Sequence, residues 1–382
     1  IYLRDDSDLN FNNSILWGNG SSQIYFRSSG EEVEVQISYS LIQGMQEGVI
    51  QNDNGSLIWN DGNFDEEPYF CNTSIGDYYI RENSPCLYGG DEGALVGCFE
   101  PGCGPVNSGP VWYIDASGDD NNDGSLEAPF STIQKAVNIS VDGDTIRLNE
   151  GVYTESVDFE YKNLVLESMA FFLQDPTYIE ETSFGPGILG GSCLILSSPS
   201  NNNATIRGLS FRGGSEPNGG GIVVSNCSPT FKDVIIENNN AEIGGGVFLS
   251  ESDSEFLNST IRNNGANLGG GIYISGGNPV FNNLNLEDNI AYWGGGIYSQ
   301  SADFNVLYSN INDNEAFIEG GALYQNGGIA NILWTSFEDN RGYDYGGGIV
   351  VNQATSNLDQ ITFAGNEAGI GSAISMHSSD VS

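Results

Sequence analysis

The sequence predicts an all-β solenoid, a coil of short parallel strands with about 25 residues per rung. Three observations predict it. Six asparagines (Asn239, Asn264, Asn289, Asn314, Asn340 and Asn366) recur at intervals of 25, 25, 25, 26 and 26 residues. The same phrase surrounds them: GGGIVVSNCSPTFKDVIIENNNA is followed by GGGVFLSESDSEFLNSTIRNNGA and GGGIYISGGNPVFNNLNLEDNIA. Short apolar runs are broken throughout by Gly and Asn, which suits strands and turns rather than helices. A unit this short cannot bury its own apolar face, so stability requires stacked neighbours.

Each element of the rung follows from its column. Eight residues before the asparagine stand Phe231, Phe256, Phe281, Val306, Ile332 and Leu358. Three before it stand Ile236, Ile261, Leu286, Ile311, Phe337 and Phe363, and two after it Ala241, Ala266, Ala291, Ala316, Gly342 and Ala368. A glycine-rich corner follows, where Gly permits both positive φ and close backbone approach. The next strand then begins at Ile222, Val247, Ile272, Ile297, Ala322 or Ile349. Rungs stacked ~4.8 Å apart turn each apolar column into an internal pile of like side chains. The asparagine column is expected at a corner. There its amides serve turn backbone groups on neighbouring rungs, and its residue type tolerates left-handed geometry.

Along the chain, residues 1–98 resemble the last rungs and tail of a first solenoid, with Phe11, Leu16 and Asn19 at the rung spacing. Residues 99–110, rich in Pro and Gly, form a linker. A second solenoid occupies 111–382, with a cap at 111–144, irregular rungs at 145–218 and regular rungs at 219–382. Within the cap, Phe130, Ile133, Ala136 and Val137 share one helical face, so a short helix is expected to close the open end of the apolar column. The sequence opens at IYLRDD in mid-pattern and stops at Ser382 within a rung. The expectation is therefore a segment of a longer chain of several solenoids.

Charge narrows the partners. Eleven Lys and Arg stand against 51 Asp and Glu, a formal net charge of −40. Nucleic acid and anionic membranes are excluded as partners, because both need positive charge. No apolar run is long enough to span a membrane. Cys71, Cys86, Cys98 and Cys103 cluster in a loop-rich region. A secreted setting would pair Cys71 with Cys86 and Cys98 with Cys103, with free thiols the alternative. Cys193 stands where other rungs carry Ile or Val and reads as a small core residue.

The second start resembles the N-terminal cap and first rung of the pectate-lyase-like, right-handed parallel β-helix superfamily. Tyr113–Asp115, Asp119–Gly124, Ala128–Ile133, Gly143–Ile146 and Gly151–Tyr153 carry that resemblance. The later rungs resemble the repeats of polymorphic outer-membrane proteins and bacterial surface adhesins. Both resemblances imply a right-handed parallel β-helix and export to a secreted or cell-surface location. They leave the activity open, because this fold hosts lyases, hydrolases, adhesins and fibres.

Four groups of residues are candidate sites. Asp119, Asn121 and Asp123, closed by Gly124, match the first half of a calcium loop, although Phe130 replaces the bidentate Glu. An Asx-rich turn is the alternative. Asp288, Asp313 and Asp339 stack at successive rungs, where they could hold Ca²⁺, act as paired carboxylates of a glycosidase, or form a solvated acidic edge. Calcium is thus the one candidate cofactor. Val223, Phe248, Tyr273, Tyr298, Leu323 and Val350 alternate with inward positions and would form an outward apolar stripe, a contact surface for a partner; burial within the coil by a local bend is the alternative. Lyase chemistry of this fold needs a basic residue, and no two of Arg207, Arg212, Lys232, Arg262 and Arg341 are expected in one column on adjacent rungs.

The function expected from the sequence is structural or adhesive. The rod would assemble with itself or with neighbouring β-helices into a surface layer or fibre, with glycans as further partners. A carbohydrate-active enzyme, hydrolase or lyase, and a glycan-binding adhesin without turnover are the alternatives.

Overall fold

The structure, a computed structural model, describes residues 1–3, 8–19, 22–26, 33–50, 52, 55–72, 77–81, 84–97, 101–103, 111–169, 178–187, 190–197, 204–377 and 380–381. The chain divides into two compact units, Ile1–Asn107 and Ser108–Ser382.

In the first unit, strands follow one another around a short coil. Tyr2–Leu3, Ile24–Phe26 and Val49–Ile50 pair in parallel, as do Asp8–Asn12, Val33–Ser38 and Gly55–Trp59. Alternation drives this: Val33, Val35 and Ile37 are buried while Glu34, Gln36 and Ser38 are half-buried. Phe26 and Leu16 complete that core. An antiparallel pair, Phe70–Asn72 with Asp77–Arg81, follows, and Pro101–Cys103 runs parallel to its second strand. Asn19 does not begin an asparagine ladder here; its amide donates to Gln23 Oε1 at 2.9 Å.

The second unit is a parallel β-helix with three long walls. Among the described residues, wall one has eleven strands, from Val111–Ile114 to Asp380–Val381. Walls two and three have nine each, from Gly151–Thr154 to Thr362–Ala364 and from Val157–Asp158 to Ile374–His377. A fourth, side sheet is built from Ile290–Trp293, Glu315–Glu319, Arg341–Tyr345 and Glu367–Ile370, where the sequence suggested only a glycine-rich corner. One rung visits wall one, wall two, the side and wall three in that order.

Register confirms the internal columns. Phe231, Phe256, Phe281, Val306, Ile332 and Leu358 pair in succession, and so do Ile236, Ile261, Leu286, Ile311, Phe337 and Phe363. Phe231 stacks on Phe256 at 4.5 Å and Phe256 on Phe281 at 5.4 Å. Those of these side chains that are fully buried, from Phe231 to Ile332 and from Ile236 to Phe337, contribute about 1.5–3 kcal/mol each. One column is corrected. Wall three aligns Ile297 with Leu323 and Ile349, so Leu323 is the inward residue and Ala322 replaces the third glycine. The 26-residue spacing had displaced it by one position.

At the glycine corner the reason for Gly is steric. A Cβ on Gly245 would lie 2.4 Å from the Gly265 carbonyl oxygen and 2.5 Å from that of Gly270. Neighbouring rungs approach too closely for any side chain.

The cap helix spans Ile133–Ile139, with the Thr132 hydroxyl accepting from the Lys135 N–H. Ile133, Ala136 and Val137 are buried against Ile114 and Ile146, so the helix covers the end of the apolar pile.

Candidate functional site

The asparagine column is an internal amide ladder. Asn289 Nδ2 donates to Ile261 O at 2.9 Å and to Asn314 Oδ1 at 3.0 Å. Its Oδ1 accepts from the N–H and Nδ2 of Asn264, both at 3.0 Å. Asn264, Asn314 and Asn340 repeat the pattern, and all four are fully buried. Left-handed geometry falls one residue earlier than the sequence suggested. Asn238, Asn263, Asp288, Asp313 and Asp339 have φ of 56°, 56°, 54°, 55° and 53°, and Gly365 continues the column at 64°.

That assigns the acidic shoulder a backbone role, since Asp and Asn tolerate this region better than other side chains. All three aspartates are exposed. Asn312 Nδ2 donates to Asp313 Oδ2 at 3.0 Å, and Asp313 and Asp339 edge a groove of about 270 Å³ with Asn310, Asn312, Ser336 and Glu338. Although Asp288 is exposed, partial desolvation raises its carboxyl above the ordinary value, and the charges of Asp313 and Glu287 add to this against Arg262.

Asp119, Asn121 and Asp123 lie in a loop whose carboxylates serve its own turns. Asp119 Oδ1 accepts from the N–H and Nδ2 of Asn121, both at 2.9 Å, and Asp123 Oδ1 accepts from the Ser125 N–H at 2.9 Å. Among the described residues no group of three or more His, Cys, Asp or Glu is arranged to hold a metal ion. The structural carboxylate of this loop is Asp120. It accepts from the N–H and hydroxyl of both Ser131 and Thr132 at 2.7–3.0 Å. Although burial raises it, these four bonds hold it below the usual carboxylate range. Glu155, from the first rung, accepts from the Ile133 and Gln134 N–H groups, so two carboxylates meet the helix N-terminus.

The arginines are largely consumed by glutamates in their own columns. Glu167, 2% exposed, lies between Arg147 at 2.7 Å and Arg207 at 2.5 Å. Glu237 lies between Arg212 and Arg262, 2.6 Å from each. The expectation that no two basic residues share a column is corrected: Arg207 pairs directly with Lys232 in wall one.

The apolar stripe exists with one substitution. Val223, Phe248, Tyr273, Tyr298 and Tyr324 align, Tyr324 taking the place expected for Leu323, while Val350 is buried. The rings stack at 5.4, 5.6 and 5.2 Å and within 4–8° of parallel. Each face is therefore covered by the next ring, and the stripe offers solvent only edges.

More aromatic surface is exposed on the side sheet. Tyr292, Phe317 and Tyr343 are 48%, 46% and 45% exposed. Their rings are tilted by 57° and 42°, not stacked, with centroids 5.6 and 6.1 Å apart. Sequence reasoning missed this column, although the three aromatics stand at the rung interval and each lies one residue after the alanine column.

Cys86 is a free, buried thiol packed with Leu41, Ile80 and Val96, and burial pushes it up to about 11. The expected Cys71–Cys86 bridge is thus not formed, because the sulfur is used as core. Cys98 lies outside the described residues. Cys193 and Cys227 are likewise free and buried.

Residues 192–379 match the family described as the right handed beta helix region. No curated protein matches the chain. Among solved structures, the pectate lyase Pel9A shares 14% identity, covering 72% of this chain and 78% of its own at a TM-score of 0.44. The GH136 lacto-N-biosidase from Eubacterium ramulus matches in its selenomethionine derivative at 10% identity, 71% and 67% coverage and a TM-score of 0.28. Its native form matches at 9% identity, 70% and 68% coverage and a TM-score of 0.24. The regular rungs are those of a right-handed β-helix, and the likenesses carry no statement about activity.

Proposed function

We propose that this right-handed β-helix is a structural and adhesive rod at a secreted or cell-surface location. One observation supports the reading above the others. From Asn239 to Asn366 every rung is tied to the next by backbone ladders and by a side-chain amide bond in the same place. Such uniform coupling makes a stiff one-dimensional body whose outward columns repeat at rung spacing, which suits a scaffold with many weak contacts.

A second reading, a carbohydrate-active enzyme, is favoured by a different observation. Asp288 and Asp313 stand at the same corner position of adjacent rungs, and desolvation together with the Asp313 charge raises the Asp288 carboxyl, as a proton-donating carboxyl of a hydrolase would require. Incubation with neutral and uronate polysaccharides separates the two readings. The rod is expected to release no new reducing ends and no unsaturated products. Turnover that disappears in Asp313→Asn would overturn the structural reading and establish the enzymatic one.

A further inference from the structure

The side sheet carries a surface that the rod architecture does not explain. Its aromatic column, Tyr292, Phe317 and Tyr343, is about half exposed, and Ile290 beside it is 37% exposed. Large exposed rings on three successive rungs cost solvation unless something covers them. Depressions of about 520 and 350 Å³ lie beside the column, the larger lined by Gly265, Ile290 and Phe317 and the smaller by Gly342, Tyr343 and Glu367.

The chemistry of a fitting partner is displayed within the chain. The Arg341 guanidinium lies 4.4 Å above the Tyr343 ring centre and 4.0 Å from the Glu367 carboxylate on the next rung. That is a cation over an aromatic face, held by an acid in the adjacent register. Phe317 repeats the ring one rung below, and Glu315 stands opposite Arg341 in the sheet. Three rungs below Glu315, the exposed Glu242 lines the larger depression together with Phe317. With Arg341 already engaged, the face offers rings and carboxylates, and the whole chain carries −40.

We propose that the side-sheet face formed by Tyr292, Phe317, Glu315 and Glu242 docks an arginine-rich polypeptide, with guanidinium groups stacking on the rings and pairing with the carboxylates. This names the partner class for the adhesive reading and rests on it. Arginine fits better than lysine, because its planar group stacks and pairs at once. A neutral glycan could use the rings but would leave the carboxylate rim without its counter-charge.

The test uses the whole chain and two nine-residue peptides, all-arginine and all-lysine, with binding followed by calorimetry at physiological and at high salt. The arginine peptide is expected to bind several-fold tighter than the lysine peptide, and more weakly as salt rises. Tyr292→Ala with Phe317→Ala, which leaves every charge in place, is expected to weaken arginine binding about tenfold and to abolish the preference over lysine. Circular dichroism confirms that this variant is folded, and Tyr292→Leu with Phe317→Leu keeps apolar cover without a ring face. Equal binding of both peptides, or binding unchanged in the folded ring variants, would overturn the proposal, since attraction would then be only diffuse charge. Retention on neutral polysaccharide that is lost in the ring variants would also overturn it, in favour of a glycan site. Turnover in the polysaccharide assay would sink the adhesive reading while leaving this peptide result to stand or fall separately.

Discussion

Replacing Asn289 with alanine probes the ladder where it is most enclosed. The side chain is 0% exposed and makes four hydrogen bonds. Asn264 Nδ2 keeps its second acceptor, Ile236 O, and Asn314 Oδ1 keeps the Asn289 N–H. The Asn264 backbone N–H loses the oxygen it donates to, and the Ile261 carbonyl loses a donor. An orphaned buried group costs about 1–3 kcal/mol, a lost but compensated bond about 1 kcal/mol. With the small void added, Asn289→Ala should destabilise by about 3–5 kcal/mol. Urea unfolding followed by circular dichroism measures this. Asn331→Ala is the control: on the outer face of wall one, Asn331 Nδ2 donates to Asn305 Oδ1 at 3.1 Å and its Oδ1 accepts from Asn357 Nδ2 at 2.8 Å, in a half-buried ladder. There water can replace these bonds, and the cost should stay below about 1 kcal/mol. Asn289→Asp adds a sign. A buried carboxylate could still accept from Asn264, but it would face Ile261 O and Asn314 Oδ1 with no proton to give. Its folded-state pKa would lie above the unfolded one, so its stability should fall as pH rises through that interval and recover in acid. Equal small losses at positions 289 and 331 would refute the argument that the inner ladder bears on stability.

Three further outcomes follow from other sites. Asp288→Asn should stabilise the fold slightly at neutral pH, by less than about 1 kcal/mol after solvent screening, and so raise the melting temperature. Because partial desolvation, Asp313 and Glu287 raise the Asp288 carboxyl above 3.8, its charge is a cost that is relieved as pH falls, so the gain should vanish in acid and shrink in salt; a loss at neutral pH in calorimetry would contradict this. Asn238 and Asn263 already occupy the same left-handed column, so the substitution introduces no backbone strain. Gly245→Ala should destabilise strongly or prevent folding, since its Cβ meets rigid carbonyls at 2.4 and 2.5 Å; a normal thermal transition would exclude that contact. Cys86 and Cys193, pushed up to about 11 and about 12 by burial, should resist alkylation at neutral pH until urea exposes them; rapid labelling of the folded chain would contradict their burial.

The sequence made the coil legible because its period is carried by packing. Phe256 must lie over Phe231, and Asn264 must reach Asn239, so both columns survive any local variation. What it hid depended on counting within one rung. An inserted residue moved Leu323 inward and put Tyr324 in the stripe. The left-handed corner falls on Asp288 rather than Asn289, because only three-dimensional geometry separates a turn residue from the amide that serves it. Asp120 and Glu155 were illegible for another reason. They meet the cap helix from 11 and 22 residues away, and no local spacing marks such contacts. The side-sheet rings were readable in principle, at positions 292, 317 and 343, but they fall where alanines and glycines suggested a bare corner.

The inner amides also have a direction. Asn239 Nδ2 donates to Asn264 Oδ1, Asn264 to Asn289, and so on to Asn366, always toward the higher-numbered rung. Their dipoles therefore lie head to tail and add, as peptide dipoles do in a helix. Each amide polarises the next, so a middle rung is held more strongly than the same rung would be in a shorter stack. The row of asparagines thus gives the rod a polarity along its axis, negative toward Asn239 and positive toward Asn366.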